Sequence, residues 1–168
     1  MSERDHDKSG DFNDFLLKIG RLNYSWTNTE SLLIHFIAGL AGCDKEVAVV
    51  IFLTLNTSRA RLDLVERLAK MPGIPPEQRD AVLELCRDMT KLSALRNRYN
   101  HCIYAFDPEN GSTRAILMRI ADRKTDIRMG QSNPIDEDAL NEIDDTLSRL
   151  TDLNARFWAV ARQFDYPL

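Results

Sequence analysis

Residues 82–104 read VLELCRDMTKLSALRNRYNHCIY, and the spacing of Val82, Leu85, Met89 and Leu92 decides the fold. Apolar side chains at alternating intervals of three and four mark a helix with one buried face. Successive residues turn by about 100°, so the stripe continues through Arg96, Tyr99 and Ile103 and puts a guanidinium at a core-type position. Asn100, Tyr104, Asn97 and His101 follow around one edge, while Arg87, Lys91 and Arg98 fall on the opposite, solvated side. One turn earlier the same edge carries Cys86, Thr90, Ser93 and Ala94, small enough to admit another helix. Together with Asn97 they are the expected contact of a homodimer, with the first helix joining it.

The same period recurs outward from this helix. Phe15, Ile19, Leu22, Trp26, Leu33, Ile37 and Leu40 predict a first helix from about Phe12 to Leu40, with Asp11 able to cap its start. Glu30 interrupts that stripe, and a buried carboxylate requires a partner; Arg96, Arg59 and Arg61 are the candidates. A second helix, about Asp44 to Lys70, runs through Val47, Ile51, Leu55, Leu62, Val65 and Leu68, with Asn56, Thr57 and Ser58 as an interruption that can kink it. The loop MPGIPPE (71–77) then places Pro76 and Glu77 where the first turn of the third helix favours them. A fourth helix, about Ile135 to Phe164, follows Leu140, Ile143, Leu147, Leu150, Phe157, Ala161 and Phe164, with Asp136, Glu137 and Asp138 at its positive end.

Between the third and fourth helices FDPENGS (106–112) reads as a turn. The segments Arg114 to Ala121 and Thr125 to Met129 predict a small β-hairpin, with Ile103 to Phe106 as a candidate third strand. The expected fold is mainly all-α: an up-down four-helix bundle with a small β-hairpin between helices 3 and 4. Residues 1–10 are expected to be a disordered N-terminal tail, and residues 11–168 a single helical-bundle domain.

With 168 residues, 43% of them hydrophobic, the chain can build one core. A net charge of -4 makes no global case for a polyanion, so any nucleic-acid contact must be local. The hairpin is one such place, where Arg114, Arg119, Arg123, Lys124 and Arg128 face Asp122 and Asp126; a solvated hairpin explains these charges equally well. Cys43, Cys86 and Cys102 lie far apart and form neither a disulfide framework nor a zinc motif, which suits a cytoplasmic protein. The opening MSERDHDKSG lacks an apolar signal segment, and the longest apolar run, Val47 to Leu53, falls short of the roughly 20 residues needed to span a membrane. No membrane partner is expected. No metal or other cofactor is expected either, because no His, Cys, Asp or Glu cluster has ligand spacing, and His35 between Ile34 and Phe36 reads as structural.

The chemistry concentrates at residues 96–104. An imidazole can move a proton near neutral pH, a guanidinium matches phosphate, and amides orient either. That set suits phosphodiester cleavage by a neighbouring 2′-hydroxyl, which needs a base, a cation for the phosphorane and an acid for the leaving oxygen. One chain offers one suitable histidine; a two-fold dimer offers two. Glu30, Asn100 and Tyr104 are candidate supports for such a site, and Arg59 and Arg61 can reach substrate phosphate or serve as solvated helix charges.

Arg96-Asn97-x-x-x-His101, at the end of a bundle helix, resembles the R-x(4–6)-H motif of the HEPN superfamily. Its catalytic members are metal-independent ribonucleases of toxin–antitoxin, abortive-infection and related defence systems. The resemblance implies that Arg96 and His101 are catalytic, that Asn97 is the polar residue following the arginine, and that two protomers share the site. It further implies an RNA substrate and an antitoxin or regulatory partner protein. In one HEPN toxin group a tyrosine two positions after the histidine is the target of a nucleotidyltransferase antitoxin; here that position is Ile103, and the tyrosine is Tyr104. The alternative reading, favoured by the acidic net charge, is a catalytically silent helical dimer that binds a partner protein or a nucleotide.

Overall fold

The computed structural model describes residues 3–106, 112–122 and 125–168. The protein is mainly helical, in the order α1 (Glu3–Ser31), α2 (Leu33–Ala41), α3 (Lys45–Thr54), α4 (Ser58–Ala69), α5 (Pro76–Asn100), β1 (Cys102–Phe106), β2 (Thr113–Asp122), β3 (Ile127–Pro134) and α6 (Glu137–Gln163). Among the described residues no helix is long and apolar enough to cross a membrane. Backbone contacts divide the chain into two compact units, Met1–Tyr24 with Ala94–Leu147, and Ser25–Ser93 with Ser148–Leu168.

In the first unit Phe15, Ile19 and Leu22 of α1 are buried, as are Leu95 and Tyr99 of α5, Ala115 of β2 and Ile143 of α6. The Phe15 ring meets Tyr99 edge-on at 5.8 Å and Tyr104 at 5.1 Å, so one phenylalanine joins the helix to the first strand. The sheet is antiparallel in the order β1-β2-β3, with Cys102 opposite Leu117 and Arg114 opposite Pro134. It is the expected hairpin, β2 with β3, joined by β1 where Ile103 to Phe106 is the candidate third strand. Its register shifts between Leu117 and Ile120, next to Gly130, whose φ of 66° suits a residue without Cβ. Asp136 starts α6 by accepting a hydrogen bond from the Ala139 amide at 3.0 Å. α1 already begins at Glu3, which makes most of the expected tail helical and leaves Asp11 interior rather than N-terminal. Residues 107–111 of the expected turn, Arg123 and Lys124, and the side chains of Arg119 and Arg128 lie outside the described residues.

The second unit holds most of the core: Trp26, Leu33, Phe36, Ile37, Val65, Leu85, Met89, Leu150 and Phe157 are all fully buried. The expected first helix breaks here, between Ser31 and Leu33. Thr29 and Ser31 turn their hydroxyls back onto the carbonyls of Ser25 and Asn28, at 2.9 and 2.8 Å, and Leu32 closes a tighter three-residue bond to Thr29. Such back-bonding bends helices. The expected second helix is likewise two, because Leu55 is extended and Thr57 starts α4 as an N-cap, accepting from the Ala60 amide at 3.1 Å. Gly42, at φ 61°, closes α2 in the left-handed region.

The chain end is clamped within this unit. Beyond α6 the Tyr166 amide donates to Ala161 at 2.9 Å, and its ring packs edge-on against Phe36 at 5.1 Å. A Cβ on Gly39 would lie 2.1 Å from that ring, so only glycine admits it. Gln78 donates to the Tyr166 hydroxyl at 2.8 Å, and His35 Nδ1 lies 2.6 Å from the Pro167 carbonyl oxygen.

Candidate functional site

The last turn of α5 gathers the polar groups. The buried stripe passes from Leu92 to Leu95 and Tyr99, so Arg96 stands half-buried at its margin rather than on it. Both 95 and 96 satisfy a three-or-four spacing, and burial selects the leucine because a guanidinium loses more hydration there. Ile103 does not continue the stripe, being 52% exposed, because the helix has already given way to β1.

Arg96 is held by amides. Its NH1 donates to Asn97 Oδ1 at 3.1 Å. With the Asn100 amide turned so that its oxygen faces the guanidinium, that oxygen accepts from Nε at 2.7 Å and from NH2 at 3.2 Å. The Asn100 nitrogen then donates to Asn23 Oδ1 of α1 at 2.8 Å, and Asn23 Nδ2 donates to the Ile19 carbonyl at 3.2 Å. Every link has a matched donor and acceptor, from guanidinium through two amides to a backbone carbonyl. Amides at these distances fix the direction in which the guanidinium points. Asn23 is the residue that sequence reasoning missed; its only signal is a polar side chain between Leu22 and Trp26, flanking the first stripe.

His101 occupies the turn between α5 and β1, exposed, one helical turn beyond Asn97. Its ring makes no hydrogen bond among the described residues. The structure thus brings Arg96, Asn97 and Asn100 together and leaves His101 beside them at the helix end.

The other candidates divide. Tyr104 is turned inward: its hydroxyl donates to the Tyr99 carbonyl at 2.6 Å, and burial, with the neighbouring Cys102 and Tyr99, pushes the phenol up to about 12. It braces the helix end rather than offering a proton. Glu30 is 5% exposed, and the carboxylate pairs with Arg61 at 3.2 Å. Arg61 also stacks on the Phe52 ring at 4.0 Å and donates to the Phe52 carbonyl at 3.2 Å, so its guanidinium is committed to the structure and not to phosphate. Arg59 is exposed and, among the described residues, is bonded to Asp63 at 2.8 Å.

The small-residue edge of α5 differs from expectation. Cys86 is fully buried, its thiol pushed up to about 12 by burial, while Thr90 and Ser93 bond back to the carbonyls of Cys86 and Thr90. Only Ala94 and Asn97 of that set are exposed. Among the described residues no three His, Cys, Asp or Glu side chains come together as metal ligands. No family model, curated protein or solved structure matches the chain. The class of protein defined here is a mainly helical one in which an Arg–Asn–Asn network closes a helix and an exposed histidine follows it in sequence.

Proposed function

We propose that the chain is a metal-independent endoribonuclease of HEPN type, acting as a homodimer. In this reading α1 with α2, α3 with α4, α5 and α6 are the four helical arms of the bundle. His101 takes the proton of an RNA 2′-hydroxyl as its oxygen attacks the adjacent phosphorus. Arg96 stabilises the charge of the phosphorane. The bond to the 5′-oxygen then breaks, and that oxygen receives a proton from the partner subunit's His101. The products carry a 2′,3′-cyclic phosphate and a 5′-hydroxyl.

The observation that carries this reading is the amide-held Arg96 five residues before an exposed His101 that forms no hydrogen bond among the described residues. The test is cleavage of RNA in EDTA by wild type, Arg96→Ala and His101→Ala, with end-group analysis and a DNA control. Cleavage lost in EDTA and restored by magnesium, or unaffected by His101→Ala, overturns it.

A second reading, a silent helical module that binds a partner protein, has its own observation. Val47, Val50 and Leu53 form an exposed apolar row on α3, whose other face buries Ala48 and Phe52. Binding without RNA cleavage is its signature.

A further inference from the structure

In sequence Arg59 and Arg61 read alike, as phosphate contacts or as solvated helix charges, and the structure separates them. Arg61 is committed to Glu30 and Phe52, whereas Arg59 opens onto a groove of about 350 Å³ between α4 and α5. Three more cations line that groove, Lys70 from the end of α4 and Arg87 and Lys91 from α5, over the side chain of Leu83. Glu66 is the one carboxylate among the lining residues. This is a local basic excess on a chain whose formal charge is -4.

The carboxylates near these cations hold them weakly. Arg59 meets Asp63 at 2.8 Å, Lys70 meets Glu66 at 3.8 Å and Lys91 meets Asp88 at 3.1 Å, each within one helix. Exposed pairs of this kind contribute about 0–1 kcal/mol, so a phosphate can replace them. Arg87 is exposed and forms no ion pair among the described residues. Arg59 and Lys70 lie eleven residues apart, roughly 16 Å along a helix at 1.5 Å per residue, so the cations follow a line rather than surround a point. A line of cations suits a chain of phosphates better than a single anion.

We infer that this groove binds the phosphate backbone of single-stranded RNA. The choice of RNA over other polyanions rests on the ribonuclease reading, and the groove adds to it how substrate is held. The test measures fluorescence anisotropy of a labelled 12-mer oligouridylate against full-length His101→Ala protein, in which the proposed chemistry is removed. Adding Arg87→Glu and Lys91→Glu, two exposed positions, should weaken binding roughly tenfold or more at low salt. It should also reduce the slope of log affinity against log salt by about 1.4, two contacts at about 0.7 each. Arg67→Glu, an equal charge change on α4 outside the groove, should have a much smaller effect than Arg87→Glu alone. Circular dichroism of each variant establishes that the fold is retained.

Three results overturn the groove: no binding of the oligouridylate by the His101→Ala parent, an unchanged affinity and slope in the double variant, or equal losses for Arg67→Glu and Arg87→Glu. Groove-dependent binding by a wild-type protein that never cleaves RNA upholds the groove and sinks the ribonuclease reading instead.

Discussion

Two histidines of this chain stand in opposite conditions. His35 is buried, its Nδ1 2.6 Å from the Pro167 oxygen and its ring 5.3 Å from Trp158, inside a unit clamped by the chain's own end. His101 stands exposed at the end of α5, with its ring free of hydrogen bonds among the described residues. Two arginines differ as well: Arg61 is stacked on Phe52 and paired with Glu30, whereas Arg96 is half-buried and hydrogen-bonded to the amides of Asn97 and Asn100. Where every polar atom has an internal partner, a side chain serves stability. Where a titratable ring is exposed and free of such bonds among the described residues, as at His101, it remains available to a ligand.

The strongest way to break that contrast is to remove each histidine in turn. His101→Ala should lower RNA cleavage by roughly 10²- to 10⁴-fold, as expected for loss of a general acid or base, with an unchanged melting temperature. His35→Ala should lower the melting temperature and spare the chemical step. The reverse pattern, read by single-turnover kinetics and thermal melts, would remove the distinction.

Arg61→Ala should be the costliest for stability. It strands the Glu30 carboxylate in the core, a loss of about 3–5 kcal/mol, whereas Arg59→Ala should fall within about 0.5 kcal/mol of wild type. Urea midpoints decide between them. Gly39→Ala should come next, at about 2–3 kcal/mol, because the methyl group collides with the Tyr166 ring. Tyr166→Leu in the same background should recover part of the loss; if it does not, the ring is not the obstacle.

At the α5 end the expected effects are smaller. Asn23→Ala should reduce the rate constant for cleavage roughly tenfold with little change in RNA affinity, by freeing Asn100 and so loosening Arg96. Asn23→Gln should not restore it if the register of the amide chain matters. An Arg96 Nε–H resonance that is indifferent to Asn23→Ala would refute the link without reference to activity.

A pH dependence runs through both regions. Burial raises the Tyr104 phenol from 10.0 to about 12 and the Cys86 thiol from 9.0 to about 12. Each group holds its proton more tightly folded than unfolded, so its contribution is present in full below the unfolded value and is lost as pH rises toward the folded one. Denaturation midpoints should therefore fall between pH 9 and 12. Cys86→Ala should flatten the lower part of that decline, and Tyr104→Phe the upper part.

Much of the fold was legible because a helix writes its period locally. The apolar spacing from Phe15 to Trp26 and from Val82 to Leu92 needs no knowledge of what lies opposite. Pro76 opening α5, the acids opening α6 and the strands around Arg114 to Ala121 are equally local signals. The cluster of Arg96, Asn97 and Asn100 was visible for the same reason, being confined to five residues of one helix.

What only the tertiary structure decided were pairings across distance. Arg61 as the partner of Glu30, Asn23 behind Asn100, and the Pro167 carbonyl beside His35, 132 positions away, depend on which helix faces meet. So does the replacement of Arg96 by Leu95 on the buried stripe. A sequence period fixes the direction of a side chain around its own axis to within one position. The desolvation cost of a charge and the reach of a hydrogen bond are settled over a few ångströms, and only the packed chain resolves those.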